Sequence, residues 1–169
     1  GIIRFMKDNQ VLLTGATGGM GTGVTPLVLA QGAFVTIPYR KSEEVERLKQ
    51  FIPSSDLNRV QLISADFTSE SSVKNLVNSM VKVDVLIHLV GGFSMGKTDE
   101  YSFENWKKDF DLNLNTTFLV CKYSLANMLR NNYGRIVTVG SRGVVEPAGG
   151  LAAYCASKAG VVALTKAIA

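Results

Sequence analysis

A glycine-rich turn near the start of the chain constrains the fold more than any other feature. The turn occupies residues 14–21, Thr-Gly-Ala-Thr-Gly-Gly-Met-Gly, and follows the apolar run of residues 11–13, which is typical of a buried strand. Gly15, Gly19 and Gly21 lack a Cβ, so they permit a tight turn, close approach of the backbone to a ligand, and close packing of a helix on a strand. The N-terminus of the helix that follows offers free N–H groups to an anion. The stretch therefore predicts a phosphate-binding strand–turn–helix unit at the start of an α/β domain.

The rest of the chain alternates between strand-like and helix-like segments. Apolar runs predict further strands at residues 34–37, 60–64, 83–90 and 135–141. Amphipathic or Ala-rich stretches predict helices at residues 20–31, 43–51, 69–81 and 102–131, and from about residue 154 to residue 169. This βαβαβαβαβα order, with no internal repeat or linker, predicts a Rossmann-type, doubly wound parallel sheet with strand order 3-2-1-4-5. We therefore expect a single α/β domain over residues 1–169.

Composition and charge exclude several classes of protein. No apolar run approaches the roughly 20 residues that span a bilayer, and the first residues lack the apolar segment of a secretory signal, so we expect a cytoplasmic protein without a membrane anchor. The net charge of +4 comes from scattered basic residues, which argues against nucleic acid and favours a phosphate-bearing cofactor as the anionic partner. Cys121 and Cys155 have no Cys-x-x-Cys spacing and no neighbouring histidine, so we expect small core residues and no metal site.

The end of the second predicted strand carries information about the cofactor. A Rossmann domain that selects NAD commonly places a carboxylate there to bind the ribose 2′-hydroxyl, whereas an Arg accommodates a 2′-phosphate. In this chain Tyr39 is followed by Arg40 and Lys41, and no acid occurs until Glu43. This pattern favours NADP(H) over NAD(H). The alternative is that Arg40 and Lys41 merely belong to a solvated surface before the next helix.

Two further strand ends supply residues that could contact a dinucleotide. Asp66 and Phe67 follow the third predicted strand, where an adenine ring could be bound, although Asp66 could instead cap the next helix. Gly91 and Gly92 follow the fourth predicted strand and would let its backbone lie against the cofactor. Within that strand lies His88, the only histidine of the chain, which we interpret as a packed, hydrogen-bonded core residue rather than a base.

A candidate active site lies in the last third of the sequence. Tyr154 and Lys158 stand four residues apart in an Ala-rich run, so a helix would place them on one face, one turn apart. A fixed cation beside a phenol favours its ionised form, so the pair could donate or accept a proton near neutrality. Ser141 ends the fifth predicted strand, at the edge where open α/β sheets bind ligands. Asn113 and Asn115 interrupt the long predicted helix, and because Asn is a poor helix-interior residue, we expect one of them to have a functional reason to be there.

With these motifs in order, the chain resembles the short-chain dehydrogenase/reductase family over its whole length. The resemblance rests on Thr14-Gly15-x-x-x-Gly19-x-Gly21, Asn113, Ser141 and Tyr154-x-x-x-Lys158. The glycine spacing, and a serine 13 residues before the tyrosine, are similar to the compact oxidoreductase branch, which includes 3-oxoacyl-carrier-protein reductases. Where the family usually has Asn-Asn-Ala-Gly, this chain has His88-Leu89-Val90-Gly91, which keeps only the glycine.

The resemblance implies a role for each candidate catalytic residue. Tyr154 would be the general acid in carbonyl reduction and the base in alcohol oxidation, while Ser141 would hydrogen-bond the substrate oxygen. Lys158 would bind the nicotinamide ribose and favour the Tyr154 phenolate, and Asn113 would hold a water that links Lys158 to solvent. Hydride would pass between the nicotinamide and a small carbonyl or alcohol substrate. The residues expected to contact NAD(P) are Gly15, Thr17, Gly19, Met20, Gly21, Tyr39, Arg40, Asp66, Phe67, Val90, Gly91, Tyr154 and Lys158.

The resemblance also sets expectations for assembly and for the C-terminal part of the fold. Family members pair two long helices with their copies, so residues 102–131 and the Tyr154 helix imply a homodimer or homotetramer. Relatives continue past the position of Ala169 with a sixth strand, a substrate-covering lid and a seventh strand, which we expect this chain to lack. Two alternatives stay open. One is a nucleotide-binding protein of the same fold without turnover, either a cofactor sensor or a structural subunit, and the other is a dihydropteridine-reductase-like enzyme.

Overall fold

A five-stranded parallel sheet forms the centre of the computed structural model, which describes residues 6–92, 94–139 and 149–169. The strands are β1 (Gln10–Thr14), β2 (Phe34–Tyr39), β3 (Val60–Ser64), β4 (Val85–His88) and β5 (Arg135–Thr138). Their order in the sheet is β3-β2-β1-β4-β5, and each neighbouring pair is parallel. The predicted strand order 3-2-1-4-5 is therefore confirmed.

Helices cover both faces of this sheet. They are α1 (Gly19–Ala30), α2 (Ser42–Lys49), α3 (Glu70–Asn78), α4 (Phe103–Phe110), α5 (Thr116–Arg130) and α6 (Ala152–Ile168). Successive strand residues point to opposite faces, so Val11 and Leu13 pack with residues of α1 and α2, whereas Leu12 packs with residues of α3 and α5. The arrangement is the doubly wound one that the sequence predicts. None of the helices in the described part of the chain is long and apolar enough to cross a membrane.

The long helix predicted at residues 102–131 is interrupted. A π-helical segment, Asp111–Asn115, separates α4 from α5. A π turn holds one residue more than an α turn, so it changes the direction in which the side chains that follow it project. Asn113 is completely buried and Asn115 is exposed. The sequence predicts one long helix here, whereas the structure divides it at the two asparagines, and the buried one is Asn113.

Strand β5 is shorter than predicted. Its last residue, Thr138, pairs with His88, where β4 also ends, so the two strands have no further backbone partners for each other. The predicted strand extends to Ser141, but residues 140–148 lie outside the described part of the chain. β5 forms one edge of the described sheet, and Val137 on it is half-exposed.

Candidate active site and cofactor groove

A groove of about 400 Å³ lies at the carboxyl ends of β1, β2, β3 and β4. Parallel strands place their carboxyl ends at one edge of the sheet, and ligands of open α/β folds bind in the crevice there. Eight of the thirteen residues expected to contact NAD(P) line the groove, namely Gly15, Thr17, Tyr39, Arg40, Asp66, Phe67, Val90 and Gly91. The glycine turn, the ends of β2 and β3 and the exit from β4 therefore meet around one space.

The glycine turn is packed tightly on one side and open on the other. Gly15 has φ +75°, and a Cβ there would lie 2.6 Å from the carbonyl carbon of Leu89, so the turn fits against the end of β4 only without a side chain. A Cβ on Gly21 would lie 2.2 Å from the Cα of Ala16. By contrast, a Cβ built on Gly19 would meet no described atom within 4 Å beyond its chain neighbours and its own helix backbone. The turn is therefore open at Gly19.

The N-terminus of α1 offers its first N–H groups to that space. Gly18 precedes the helix without a side-chain cap, and the first turn of α1, all of it within the described residues, carries no acid. The unpaired N–H groups and the positive end of the helix dipole favour an anion at this position. These features match the phosphate site that the sequence predicts.

The side chain of Asn113 joins the β4 exit to α6. Its Oδ1 accepts the Gly92 N–H at 2.9 Å, and its Nδ2 donates to the Gly92 carbonyl at 2.8 Å and to Ser157 Oγ at 3.2 Å. Ser157 Oγ in turn donates to the Tyr154 carbonyl at 3.1 Å. The π-helical segment thus aims a buried amide at the loop after β4 and at the helix that carries Tyr154.

Lys158 and Asn113 meet above the backbone of Gly91. A Cβ on Gly91 would lie 2.8 Å from Lys158 Nζ and 3.0 Å from Asn113 Oδ1, so a larger residue would displace one of these polar groups. Lys158 is 7% exposed, and burial lowers the pKa of its ammonium below the usual value. Tyr154 stands one turn earlier on α6 and is half-buried. Three of the four candidate catalytic residues are therefore brought together, while Ser141 lies outside the described residues.

His88 lies directly beneath this site as a buried neutral imidazole. It is 2% exposed, its Nδ1 is 2.5 Å from Thr14 Oγ1, and its ring packs edge-on to Phe67 with 6.3 Å between ring centroids. Burial and, to a lesser degree, the charge of Lys158 together lower the pKa of His88 to about 3. Its Nε2 has no hydrogen-bond partner among the described residues. The interpretation of His88 as a core residue is confirmed, with one hydrogen bond that joins the ends of β1 and β4.

The alternative role considered for Asp66, as a cap of the next helix, is not what the structure shows. Ser69 caps α3, because its Oγ accepts the Ser72 N–H at 3.3 Å. Asp66 Oδ1 instead accepts the N–H of Thr68 at 2.9 Å and its hydroxyl at 2.7 Å. These hydrogen bonds, and to a lesser degree the charge of Arg40, lower the pKa of the Asp66 carboxyl below its usual value. The carboxylate is thus fixed at the groove.

Several groove residues have no clear signal in the sequence. Lys108, Leu112 and Thr116 line the wall opposite the glycine turn. Their four-residue spacing indicates one helix face, but the sequence does not show that this face meets the ends of the strands. Arg47 does not line the groove itself, but its Nη2 donates from α2 to the carbonyl of Thr17, a groove residue 30 positions away in sequence.

A second polar cluster lies in the loop between β4 and α4. Tyr101 OH donates to Asp109 Oδ2, and the Ser94 hydroxyl lies 3.4 Å from both oxygens of the same carboxylate. The hydrogen bond to Asp109 raises the pKa of Tyr101 above its usual value. The Gly96 N–H donates to the Gly150 carbonyl at 3.0 Å, which ties this loop to the segment just before α6. The cluster therefore shapes the side of the site next to the helix that carries Tyr154.

Both cysteines lie in helices of the described part of the chain and are free thiols. Cys121 is buried, and burial raises its thiol pKa to about 11, so it is the small core residue that was predicted. Cys155 is partly buried. In residues 6–92, 94–139 and 149–169, no group of three or more His, Cys, Asp or Glu side chains is arranged to hold a metal ion.

Comparisons with known proteins establish the family. The family model for the short chain dehydrogenases matches residues 9–169, so the chain belongs to that family. It is 34% identical over 169 residues to the putative oxidoreductase YtkK of Bacillus subtilis, covering 95% of this chain and 66% of that protein. It is 29% identical to the 3-oxoacyl-[acyl-carrier-protein] reductase FabG of Rickettsia conorii, covering 93% of this chain and 64% of that protein.

The fold agrees with solved structures of similar sequence. The crystal structure of an NAD+-bound xylitol dehydrogenase superposes with a TM-score of 0.87 at 26% identity, covering 96% of this chain and 64% of that one. The chain thus spans just under two thirds of the length of these relatives. The predicted family and fold class are confirmed, and the resemblance to 3-oxoacyl-carrier-protein reductases is supported by a relative of that name.

Gly15 provides a test of the packing between the turn and β4. We expect Gly15→Ala to lower the free energy of unfolding by about 2 kcal/mol or more, because the added Cβ meets backbone and the positive φ is unfavourable for Ala. Gly23→Ala is the matched control, since a Cβ there meets nothing within 4 Å on exposed helix, and it should raise stability by about 0.5–1 kcal/mol. Urea unfolding of both variants measures the difference. Equal stability of the two variants would contradict the packing described.

His88 makes the stability of the protein sensitive to acid. Its pKa is about 3 in the folded protein against 6.5 for the free side chain, so the unfolded chain binds a proton that the folded protein does not. The contribution of His88 is complete above pH 6.5 and decreases as the pH falls towards 3, with a slope approaching about 1.4 kcal/mol per pH unit. Urea unfolding between pH 7.5 and 5 should show this slope for the natural protein. His88→Asn, which does not titrate in this range, should have a flatter profile, and parallel profiles would rule out His88 as the source.

Proposed function

We propose that the protein is an NAD(P)-dependent oxidoreductase that interconverts a carbonyl and a secondary alcohol, with Tyr154 as the general acid or base. Family membership supports the class of reaction. The observation that supports the assignment to these residues is the junction of Lys158 and Asn113 at Gly91, one helical turn from Tyr154 and next to the groove. A protein that only bound a nucleotide would not need this combination of residues.

The groove has the properties that a nicotinamide dinucleotide requires. The open side of the turn at Gly19 and the uncapped N-terminus of α1 suit a pyrophosphate. Asp66 and Phe67 lie at the end of β3, where they would hold the adenine, and Val90 and Gly91 line the path towards Lys158. Bound there, the cofactor would supply or accept the hydride.

The residues of the chain would move the proton and stabilise charge. Tyr154 would donate a proton to the carbonyl oxygen during reduction and accept one during oxidation. The Lys158 ammonium, fixed by burial, would favour the phenolate form and bind the ribose hydroxyls. Asn113 would hold the Gly92 backbone and α6 at a fixed distance from each other. It would also position a water for proton exchange with Lys158. Ser141 would hydrogen-bond the substrate oxygen, a role assigned from the family resemblance.

We further propose that NADP(H) is preferred over NAD(H). Arg40 lines the groove at the end of β2, where an Arg accommodates a 2′-phosphate. Glu44 also lines the groove, and its Oε2 accepts the Arg40 N–H at 3.1 Å and the Lys41 N–H at 3.5 Å. Because this carboxylate caps the start of α2, it is less suited to bind a ribose 2′-hydroxyl. The xylitol dehydrogenase that shares the fold binds NAD+, so the preference must come from this chain's own residues.

A dimer or tetramer built on α4, α5 and α6 completes the proposal. Large apolar side chains project from α4 and α5 into solvent, with Phe103 70%, Phe118 50% and Leu129 67% exposed. Exposed large apolar side chains on these two helices support an interface between subunits there. The substrate would be a small carbonyl or alcohol, as in the oxidoreductases to which the chain is similar. Acyl thioesters, sugars, steroids, pterins and simple ketones all stay open as substrate classes.

Tyr154→Phe tests the catalytic part of the proposal. The variant keeps the ring but removes the hydroxyl, so we expect the rate of NADPH oxidation with a reactive carbonyl to fall by about 10²–10⁴-fold. The dissociation constant for NADPH should change by less than about threefold, because the groove is unaltered. The measurement is absorbance at 340 nm with a panel of aldehydes, ketones and 3-oxoacyl thioesters, and Tyr133→Phe, which changes an exposed tyrosine after α5, is the control.

Two results would count against this assignment. Retention of turnover by the Tyr154→Phe variant would show that another group transfers the proton. Failure of the natural protein to oxidise NADPH with any member of the panel, despite tight binding of NADPH, would favour the alternative of a cofactor sensor or structural subunit without turnover.

A further inference from the structure

Arg47 extends from α2 to the glycine turn, next to the cofactor groove. Its Nη2 donates to the carbonyl of Thr17, in the glycine turn, and Thr17 lines the groove beside Gly15 and Gly18. The Arg47 side chain therefore connects α2 to the glycine turn, near the loop between β2 and α2. This is the end of the groove at which the ribose 2′-position of a dinucleotide is read.

The charge of Arg47 is not neutralised by a contact carboxylate in the described parts of the chain. Of the three acids of α2, Glu46 pairs with Lys49 at 3.6 Å, Glu44 accepts the Arg40 and Lys41 backbone N–H groups, and Glu43 stands one turn before Arg47. No ion pair within 4 Å involves Arg47 among the described residues, and its partner is a neutral carbonyl. The guanidinium thus has a neutral contact partner and is available to an anion.

Arg40 approaches the same region from the end of β2. It lines the groove, and its charge contributes, after the hydrogen bonds from Thr68, to the lowered pKa of Asp66. Two guanidinium groups are consequently available at this end of the groove, and they differ in their partners. Arg40 is electrostatically coupled to Asp66, whereas Arg47 is held by the turn.

We propose that Arg47 is a second phosphate-binding residue that contacts the 2′-phosphate of NADP(H) and makes the site selective for it. The inference rests on the proposed function, because it assumes that the groove holds a nicotinamide dinucleotide. A guanidinium is permanently charged and presents paired N–H donors that match phosphate oxygens. The hydrogen bond to Thr17 holds the side chain at the groove before the ligand arrives, which reduces the entropy lost on binding.

The alternative role for Arg47 is purely mechanical. In this role, Arg47 would only hold the glycine turn in place, and it would strengthen the binding of NADH and NADPH equally. A phosphate-binding residue discriminates between cofactors that differ only in the 2′-phosphate. The ratio of the dissociation constants for NADH and NADPH therefore separates the two roles.

The test compares NADPH, NADH and 2′,5′-ADP by fluorescence and calorimetric titration of the full-length protein. Arg47→Ala should raise the dissociation constants for NADPH and 2′,5′-ADP about tenfold or more and change that for NADH by less than twofold. Arg47→Lys keeps the charge but not the paired donors, so it should lie between the two. Lys49→Ala removes another exposed cation of α2, one that is paired with Glu46, and should leave all three constants unchanged.

The outcomes distinguish this inference from the proposed cofactor preference. If the natural protein prefers NADPH and Arg47→Ala lowers that preference, the inference holds. If the natural protein prefers NADPH but Arg47→Ala leaves the ratio unchanged, or weakens both cofactors equally, Arg47 is not a phosphate ligand and the proposed preference stands on Arg40. If the natural protein binds NADH at least as tightly as NADPH, the proposed preference and this inference are both wrong.

Discussion

The hydrogen bonds of the Asn113 side chain hold the site together. A buried amide is costly unless its groups are paired, and Asn113 pairs with both backbone groups of Gly92 and with Ser157. The amide therefore fixes the distance between the exit of β4 and α6, two segments far apart in sequence. The π-helical segment is the conformation that allows a long helix to aim one residue at both. Without this connection, the face that carries Tyr154 would not be held against the cofactor groove.

Close packing around the Asn113 connection explains why residues 15 and 91 are glycines and why His88 is neutral. Lys158 Nζ and Asn113 Oδ1 occupy the position that a side chain on residue 91 would fill, and β4 occupies the position that a side chain on Gly15 would fill. Burial and, to a lesser degree, the positive charge of Lys158 disfavour a charge on His88 at the end of β4, so this histidine is kept neutral. His88 then contributes a neutral hydrogen bond to Thr14, between the two strands that flank the groove. The departure from the family's usual Asn-Asn-Ala-Gly is thus accommodated as an uncharged polar pair in the core.

The sequence predicted those structural features that depend only on residues close together along the chain. The glycine turn, the alternation of strands and helices and the four-residue spacing of Tyr154 and Lys158 each require only a short stretch, and the strand order follows from general rules for parallel sheets. The sequence could not show the contacts made by long side chains across the fold. Arg47 reaches Thr17, and Asp109 accepts from Tyr101, because tertiary packing sets their directions. Asn residues in a helix indicated an irregularity, but which of them would be buried depended on the π turn.

The most direct test of the account is the dissociation constant for NADPH of Asn113→Ala, measured beside Asn115→Ala. Both residues lie in the π-helical segment, but Asn113 is buried and joins Gly92 to α6, whereas Asn115 is exposed and donates only locally to Asp111. With circular dichroism confirming that both variants are folded, the account predicts that Asn113→Ala raises the constant about tenfold or more, because loss of a buried hydrogen-bond set costs ~1–3 kcal/mol. Asn115→Ala should bind NADPH as the natural protein does. Unchanged NADPH affinity in a folded Asn113→Ala variant would contradict the central role of the Asn113 connection.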